Sequence, residues 1–440
     1  MKNVAIIGGG ITGLSAAFEL QQHNIPCTVY EASDRVGGVI RTVHKSGFLI
    51  ESGPNSILNT HPDLGLFLAQ VGIEKQLPNT DAGNRFIVRN GKPIALPDSP
   101  LSFISSKAFS TAAKMRLLRE PFIRSRATSK ESLADFVVRR LGKEFLDYAI
   151  NPFVGGIYAG DPSQLSTQYA FPKLYELEQK YRSLIKGAIQ GARARKKRAE
   201  VASKDARMFT FKEGMEELPK ALAKKLRLNI EYNRPISEIK SLPKQRWKVA
   251  GEAYSDVILA IPAHKLDQIT GALPLSPLAK MPYAPVTSLS LGFKKSQCTH
   301  PLNGFGILYP KVENRYALGA LFPASIFPQR APDGETLLTL FIGGAIAPEK
   351  AAQSDDELVQ NALVDLRDLL GFSGEATSIT IHRSPQAIPQ YNLGHETFVE
   401  QMKQIKTQFP GIHFAGPCCD GISVGNAILS GLKNARTIMS

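Results

Sequence analysis

The stretch Lys2–Leu20, KNVAIIGGGITGLSAAFEL, followed by Cys27–Thr42, CTVYEASDRVGGVIRT, decides the fold. Val4–Ile7 is a short apolar run suited to a buried parallel strand, and Gly8, Gly10 and Gly13 follow it in the G-x-G-x-x-G spacing. Gly8 permits the tight turn, Gly10 lets a pyrophosphate reach the backbone, and Gly13 lets the next helix lie close on the strand. The helix N-terminus then offers an anion free N–H groups and the positive end of a dipole. The second strand ends in Glu31, 18 residues beyond Gly13. A carboxylate there accepts from ribose hydroxyls and repels a 2′-phosphate, so the two phrases predict a dinucleotide other than NADP. The fold class they set is α/β, with a Rossmann-type unit at the start of the chain.

At 440 residues and 43% hydrophobic, the chain is long enough for two or three cores. The four cysteines, Cys27, Cys298, Cys418 and Cys419, have no metal-ligand spacing, and an adjacent pair is a poor disulfide candidate, which suits a reducing compartment. Only Met1–Asn3 precede the first strand, and no apolar run reaches the length of a membrane span. The expected location is cytoplasmic. The net charge of +14 is concentrated: residues 101–204 hold 20 Lys and Arg against 9 Asp and Glu, with RARKKR at Arg193–Arg198 the sharpest patch. Anionic lipid and a polycarboxylate substrate fit such a segment, as does a solvated basic loop. Nucleic acid is not expected, because no recognition motif accompanies the charge.

No internal repeat appears. The segment from Arg234 to Pro262 reads as short strands with a turn between Glu252 and Ser255, and GIHFAGPCCDGISVGNAILSGLKNA (411–435) reads as strand, glycine loop, helix. Ile104, Ala108, Ala112 and Met115 fall at helical spacing with Lys107, Lys114 and Arg116 off the stripe, giving an amphipathic helix that packs on its own domain or lies on a membrane. Further helices are expected over Leu133–Leu146 and Pro172–Gln190. Gly155, Gly156, Gly160 and Pro162 announce a turn between helices. Residues 261–380 are rich in β-prone runs and predict a second sheet.

The phrase DRVGGVIRT after Glu31 resembles the FAD-binding amine oxidase superfamily, and NPFVGGIYAGDPSQLS (Asn151–Ser166) resembles the signature of oxygen-dependent protoporphyrinogen oxidases and their coproporphyrinogen III oxidase relatives. ESGPNSI (Glu51–Ile57), FKEGMEELPKAL (Phe211–Leu222) and GISVGNAI (Gly421–Ile428) are similar to that family's flavin loop, return segment and terminal contact, so the resemblance runs nearly the whole length. Val39 departs from it, standing where many members have Trp. The resemblance implies FAD held by Gly8, Gly9, Gly10, Ile11, Thr12, Gly13, Glu31, Ala32, Arg35, Gly38, Val39, Gly53, Pro54, Asn55, Ser56, Ile236, Pro417, Ile422, Ser423 and Val424. It also implies an FAD-binding unit over 1–85, 205–260 and 381–440, a substrate unit over 86–100 and 261–380, and a helical basic unit over 101–204.

The resemblance implies oxidation of protoporphyrinogen IX to protoporphyrin IX in haem biosynthesis, with dioxygen as acceptor. Coproporphyrinogen III as substrate, or a flavin-bearing scaffold without turnover, are the alternatives. An amine oxidase or carotenoid desaturase is a further one. Arg85 stands where the family pairs an arginine with a propionate, Phe305, Gly306 and Leu308 on its ring-sandwiching stretch, and Phe341 on its apolar wall. Those residue types suit an apolar macrocycle with carboxylates on one side. No acid–base side chain stands out among His44, His61, His264 and His382, and no metal is expected. An anionic membrane surface and the next enzyme of the pathway are the further partners expected.

Overall fold

A computed structural model describes residues 2–126, 128, 130–198, 208–226 and 230–440, with the side chains of 81, 100 and 192–198 left aside. The basic run Arg193–Arg198 therefore has its side chains outside the described residues. Strand β1 (Val4–Ile7) sits in the middle of a five-stranded parallel sheet in the order 412–414, 256–259, β1, β2 (Cys27–Tyr30), 230–231. All four side chains of β1 are buried, as a strand covered on both faces requires. Helix α1 (Ile11–Gln22) and the C-terminal helix Val424–Met439 pack against one another on one side, enclosing Leu14, Phe18, Ile428 and Leu432. The strand, loop and helix at the end of the chain fall as expected. The hairpin beside them turns at Ala250 and Gly251, both at positive φ, rather than between Glu252 and Ser255. Such a two-residue turn matches the twist of its strands.

A second, seven-stranded sheet is assembled from β5 (Asn84–Arg89), residues 92–95, β6 (Tyr283–Lys294), β7 (Gly304–Leu308), β8 (Gly319–Leu321), β9 (Glu335–Gly343) and β10 (Ser378–Pro389). Its order is β10-β6-β9-β8-β7-β5-92–95, with the β5–β7 pair parallel. Leu289, Leu291, Ile307, Leu338 and Leu340 bury one face under the helix Asp355–Leu370. Both Arg85 and β10 belong to this sheet, although the sequence division puts Arg85 and residues 381–389 in the nucleotide-binding unit. The long antiparallel ladder from β10 to β6 satisfies its backbone there.

Between β3 (Thr42–Lys45) and β4 (Phe48–Glu51) the chain makes a hairpin that lies on the other face of the second sheet. The Phe48 ring fills the place of a side chain at Gly292: a Cβ there would be 2.4 Å from Phe48 Cζ.

The helical segment departs from its expected pattern at four places. The stripe from Ile104 to Met115 is broken into α2 (Pro100–Ser105) and α3 (Thr111–Arg119), because Ser110 caps a new N-terminus by accepting from Ala113 N–H. Helix α4 (Leu133–Arg140) starts after Ser132 as expected but stops short of Leu146, where Gly142 takes positive φ. Gly155 and Gly156 of the Asn151 phrase sit inside helix α5 (Asn151–Tyr158), and the turn follows at Ala159 and Gly160. Pro172–Gln190 divides into α6 (Pro172–Tyr181) and α7 (Leu184–Arg198) around Arg182 in the left-handed region. That corner is fixed by Glu120, which accepts from Ser183 Oγ (2.6 Å), Leu184 N–H (2.8 Å) and buried Arg140.

Candidate functional site

The glycine loop after β1 is a cradle with its space already allotted. A Cβ on Gly13 would stand 2.0 Å from the Gly8 carbonyl oxygen, so the helix can lie against the turn only with glycine there. A Cβ on Gly10, by contrast, would meet nothing within 4 Å, which leaves an opening at the N-terminus of α1. Glu31 is held beside it: Oε2 accepts from Gly9 N–H at 2.7 Å, and Oε1 accepts from Ser33 N–H and Oγ at 2.9 and 2.7 Å. A carboxylate has about four lone-pair sites, so one remains for a ribose hydroxyl. The segment leading to Ile236 runs alongside, with Arg234 N–H donating to Glu31 O and Asn233 N–H to Ser33 O.

Arg35 spends its donors on its own loop, at Val36 O (3.1 Å), Ile40 O (3.2 Å) and Gly38 O (2.7 Å), and so shapes the backbone that ends in exposed Ala32 and Val39. Val39 is 71% exposed, so its side chain is open to contact by a bound group. At the far end of the β3–β4 hairpin, the Gly53–Ser56 loop presses on this same backbone: a Cβ on Gly53 would be 2.2 Å from Val39 O. The terminal loop is tied by Tyr391, whose hydroxyl donates to Pro417 O (2.6 Å) and accepts from Gly421 N–H (3.0 Å). Ser423 caps the last helix, with Ile422 and Val424 partly buried at its sides. Thr12 and Ile11 are buried on α1, and Thr12 faces Gly416 of that loop.

The second sheet brings the remaining candidates together in two rows. Ladder partners place Thr380, Ser290, Thr339, Leu321, Gly306 and Arg85 side by side, and two residues along, His382, Ser288, Phe341, Gly319, Leu308 and Ile87. Successive ladder partners share a face, so Arg85, Leu308 and Phe341 stand on the side opposite the Leu289–Leu340 core. The β3–β4 hairpin covers the end of that face near Gly292, and its two ends lead directly to the Val36–Arg41 and Gly53–Ser56 loops. Phe305 lies at a break in the β7 register, its ring 5.7 Å from the Arg85 guanidinium. Asn55, Ser56, Phe305, Leu321, Phe327 and Arg330 line one cleft, where the hairpin loop meets the sheet. His382 is half-buried and held below the ordinary imidazole value by burial and by Arg41 and Arg35, which leaves it neutral at pH 7.

The flavin-containing amine oxidoreductase model matches residues 11–439. The chain belongs to that family. It is 34% identical to protoporphyrinogen oxidase 2, chloroplastic/mitochondrial, of Arabidopsis thaliana, across all of this chain and 94% of the relative. It is 29% identical to coproporphyrinogen III oxidase of Bacillus subtilis (strain 168), across 98% of this chain and 96% of the relative. A solved structure assigned as a protoporphyrinogen oxidase of Exiguobacterium sp. 255-15 superposes with a TM-score of 0.80 at 25% identity, covering 99% of this chain and 98% of that one. The residues present fit the FAD that a flavin-dependent oxidoreductase of this family carries: the Gly10 opening could take the pyrophosphate, the remaining Glu31 lone pair a ribose hydroxyl, and the Val39, Asn55 and Ser56 surface the ring.

Sequence reasoning passed over two parts of the site. Helix α5 reads as a glycine turn, yet Phe153, Gly156 and Ile157 form one exposed stripe on it, and a Cβ on Gly156 would be 3.0 Å from Leu308 Cδ2. The helix is thus the wall facing the Leu308 row, and the spacing of Phe153, Gly156 and Ile157 was the available signal. The second is the ion pair of Arg330 with Glu51, both buried at the base of the cleft. Cys418 is buried in the core under the terminal loop, and Cys419 Sγ reaches Gly416 O at 3.4 Å.

Proposed function

We propose that this flavoprotein oxidises protoporphyrinogen IX to protoporphyrin IX, with dioxygen as the final acceptor. One observation carries the reading: the Arg85 guanidinium lies 5.7 Å from the ring of Phe305, which lines the cleft with Asn55 and Ser56. A cation in that position opposes an alkylammonium substrate and suits a macrocycle with carboxylates on one edge. The names of the relatives in Arabidopsis thaliana and Bacillus subtilis agree in substrate class. Arg330, the cation that lines the cleft, is paired with Glu51, so we take Arg85 beside Phe305 as the propionate anchor.

In this reading FAD, when bound, supplies a two-electron acceptor that dioxygen regenerates with release of peroxide. Arg85 pairs with a propionate and fixes the edge of the macrocycle. Phe305, Leu308 and Phe341 on the sheet, with Phe153 and Ile157 of α5, hold its faces and keep water out. In each of three two-electron rounds a methylene bridge would give up a hydride to that acceptor as a pyrrole N–H releases a proton to solvent, with tautomerisation between rounds, and the macrocycle becomes aromatic only at the end of the third. The division into a discontinuous FAD unit, a substrate unit and a helical basic unit belongs to the same proposal.

No helix among the described residues is long and apolar enough to cross a membrane. We infer peripheral attachment to the cytoplasmic face of an anionic membrane, because Leu101, Ile104, Met115, Leu118 and Phe122 are all exposed on α2, α3 and the turn after them. Lys107, Arg119, Arg124 and Arg126 surround them, while Lys114 is turned inward onto Ile104 O and Ser106 O. Release of an apolar product at that surface would serve the next enzyme of the pathway. The deciding experiment is anaerobic mixing with each porphyrinogen: protoporphyrinogen should bleach the flavin with the larger second-order rate constant. A flavin that stays oxidised with both would identify a scaffold and sink the proposal.

A further inference from the structure

Arg330 closes a short turn, Pro328–Arg330, between β8 and β9, and its side chain is almost wholly buried. One terminal amine pairs with Glu51 Oε1, the other donates to Thr210 Oγ1 at 2.6 Å, and the guanidinium lies 5.7 Å from the Phe327 ring centre. Glu51 gathers two more segments. Its Oε1 accepts from Met215 N–H at 2.8 Å, and its Oε2 accepts from Thr42 Oγ1 at 2.8 Å. Thr210 is itself fastened to Gln76 by two backbone hydrogen bonds. The pair therefore joins the β3–β4 hairpin and the return segment 208–215 to the turn that leads into the second sheet.

Two facts separate this junction from ordinary stabilisation. A buried ion pair is commonly no more stabilising than apolar side chains of the same volume, so stability is a weak reason for one here. It also stands at the meeting point of the site's two halves, since Glu51 immediately precedes the Gly53–Ser56 loop and Arg330 lines the cleft with Asn55, Ser56 and Phe305. We propose that Arg330 and Glu51 are positioning residues that set the separation between the flavin loop and the substrate face of the sheet. This deepens the porphyrinogen reading and rests on it for its rate measurement only.

The test is the double variant Arg330→Met with Glu51→Leu, which removes both charges together and leaves neither unpaired. The expected result is a folded yellow protein with an altered visible circular dichroism of bound FAD and weaker FAD retention. Reduction by protoporphyrinogen should slow on the order of 100-fold, the scale of a misplacement of about 1 Å. A double variant with parental dichroism, FAD affinity and reduction rate overturns the proposal. Should the double variant fail to fold, Arg330→Lys decides. A lysine keeps the charge but cannot bridge Glu51 and Thr210 in fixed geometry, so it must alter the FAD dichroism, and a parental spectrum refutes the positioning role. Failure of wild-type flavin to be reduced by protoporphyrinogen would sink the substrate reading, while dichroism and FAD affinity would still judge this one.

Discussion

Gly53→Ala is the most direct probe of how the two flavin-facing loops are set against each other. The φ of Gly53 lies outside the left-handed region, so alanine meets no backbone strain and the only obstacle is space. Its methyl carbon would stand 2.2 Å from Val39 O. Ordinary carbon–oxygen approaches are about 3.3 Å, so the loops must separate by roughly 1.1 Å. A displacement of that size between reacting partners costs about 100-fold in rate, or about 2.7 kcal/mol of activation free energy. Both loops lie at the surface, so the fold should persist with a thermal midpoint near that of the wild type. The assay is stopped-flow reduction of the flavin by anaerobic protoporphyrinogen, paired with FAD titration of the apoprotein. Parental rate and affinity in Gly53→Ala would mean that the Val39–Gly53 contact does not govern cofactor position.

Arg85→Ala should raise KM for the porphyrinogen more than it lowers kcat, because an anchor remote from the reacting carbon serves ground and transition states alike; Arg85→Lys should recover little, and an unchanged KM in steady-state kinetics would remove Arg85 from the site. Glu31→Ala should weaken FAD binding by about 1.5 to 3 kcal/mol through the lost ribose acceptor, and equal affinities by fluorescence titration would contradict this. Burial alone would raise the Glu120 carboxyl, but hydrogen bonds from Ser183, Leu184, Arg140 and Ile185 outweigh it and hold the group below the usual carboxylate value. Its stabilisation is therefore present above the unfolded value of about 4.3 and is lost as pH falls through the lower folded value, so Glu120→Gln should flatten the acid limb of a plot of Tm against pH. Flotation on anionic vesicles should fail when Leu101, Ile104, Leu118 and Phe122 are replaced by serine, and wild-type recovery should fall with salt; equal recovery on neutral vesicles would count against membrane attachment.

The Rossmann unit was legible because its determinants are local: a strand, three glycines and an acid within thirty residues impose one geometry. The helical segment was less so. Its apolar spacing continues across Ser106–Ser110 and across Arg182, and what interrupts it is a serine cap and a carboxylate brought in from Glu120. The α5 glycines look like turn residues because sequence carries no record of the neighbour, Leu308, that requires them small. Arg85, Leu308 and Phe341 came from family resemblance, and strand registry then put them in adjacent rows. The pairing of Arg330 with Glu51 was invisible, the two being 279 residues apart, with neither in a motif that names the other.

The Phe48 ring seated against Gly292 ties the hairpin to the sheet like a peg in a socket. Both loops that we assign to the flavin are extensions of that hairpin, so in this reading the cofactor side of the cleft cannot be widened without pulling out the peg. Room for a larger or more heavily carboxylated macrocycle has to come from the α5 side, where Phe153 and Ile157 are exposed and a change of side chain disturbs no backbone junction. Divergence of substrate preference on this scaffold should therefore be concentrated on one helix, with the hairpin inherited unchanged.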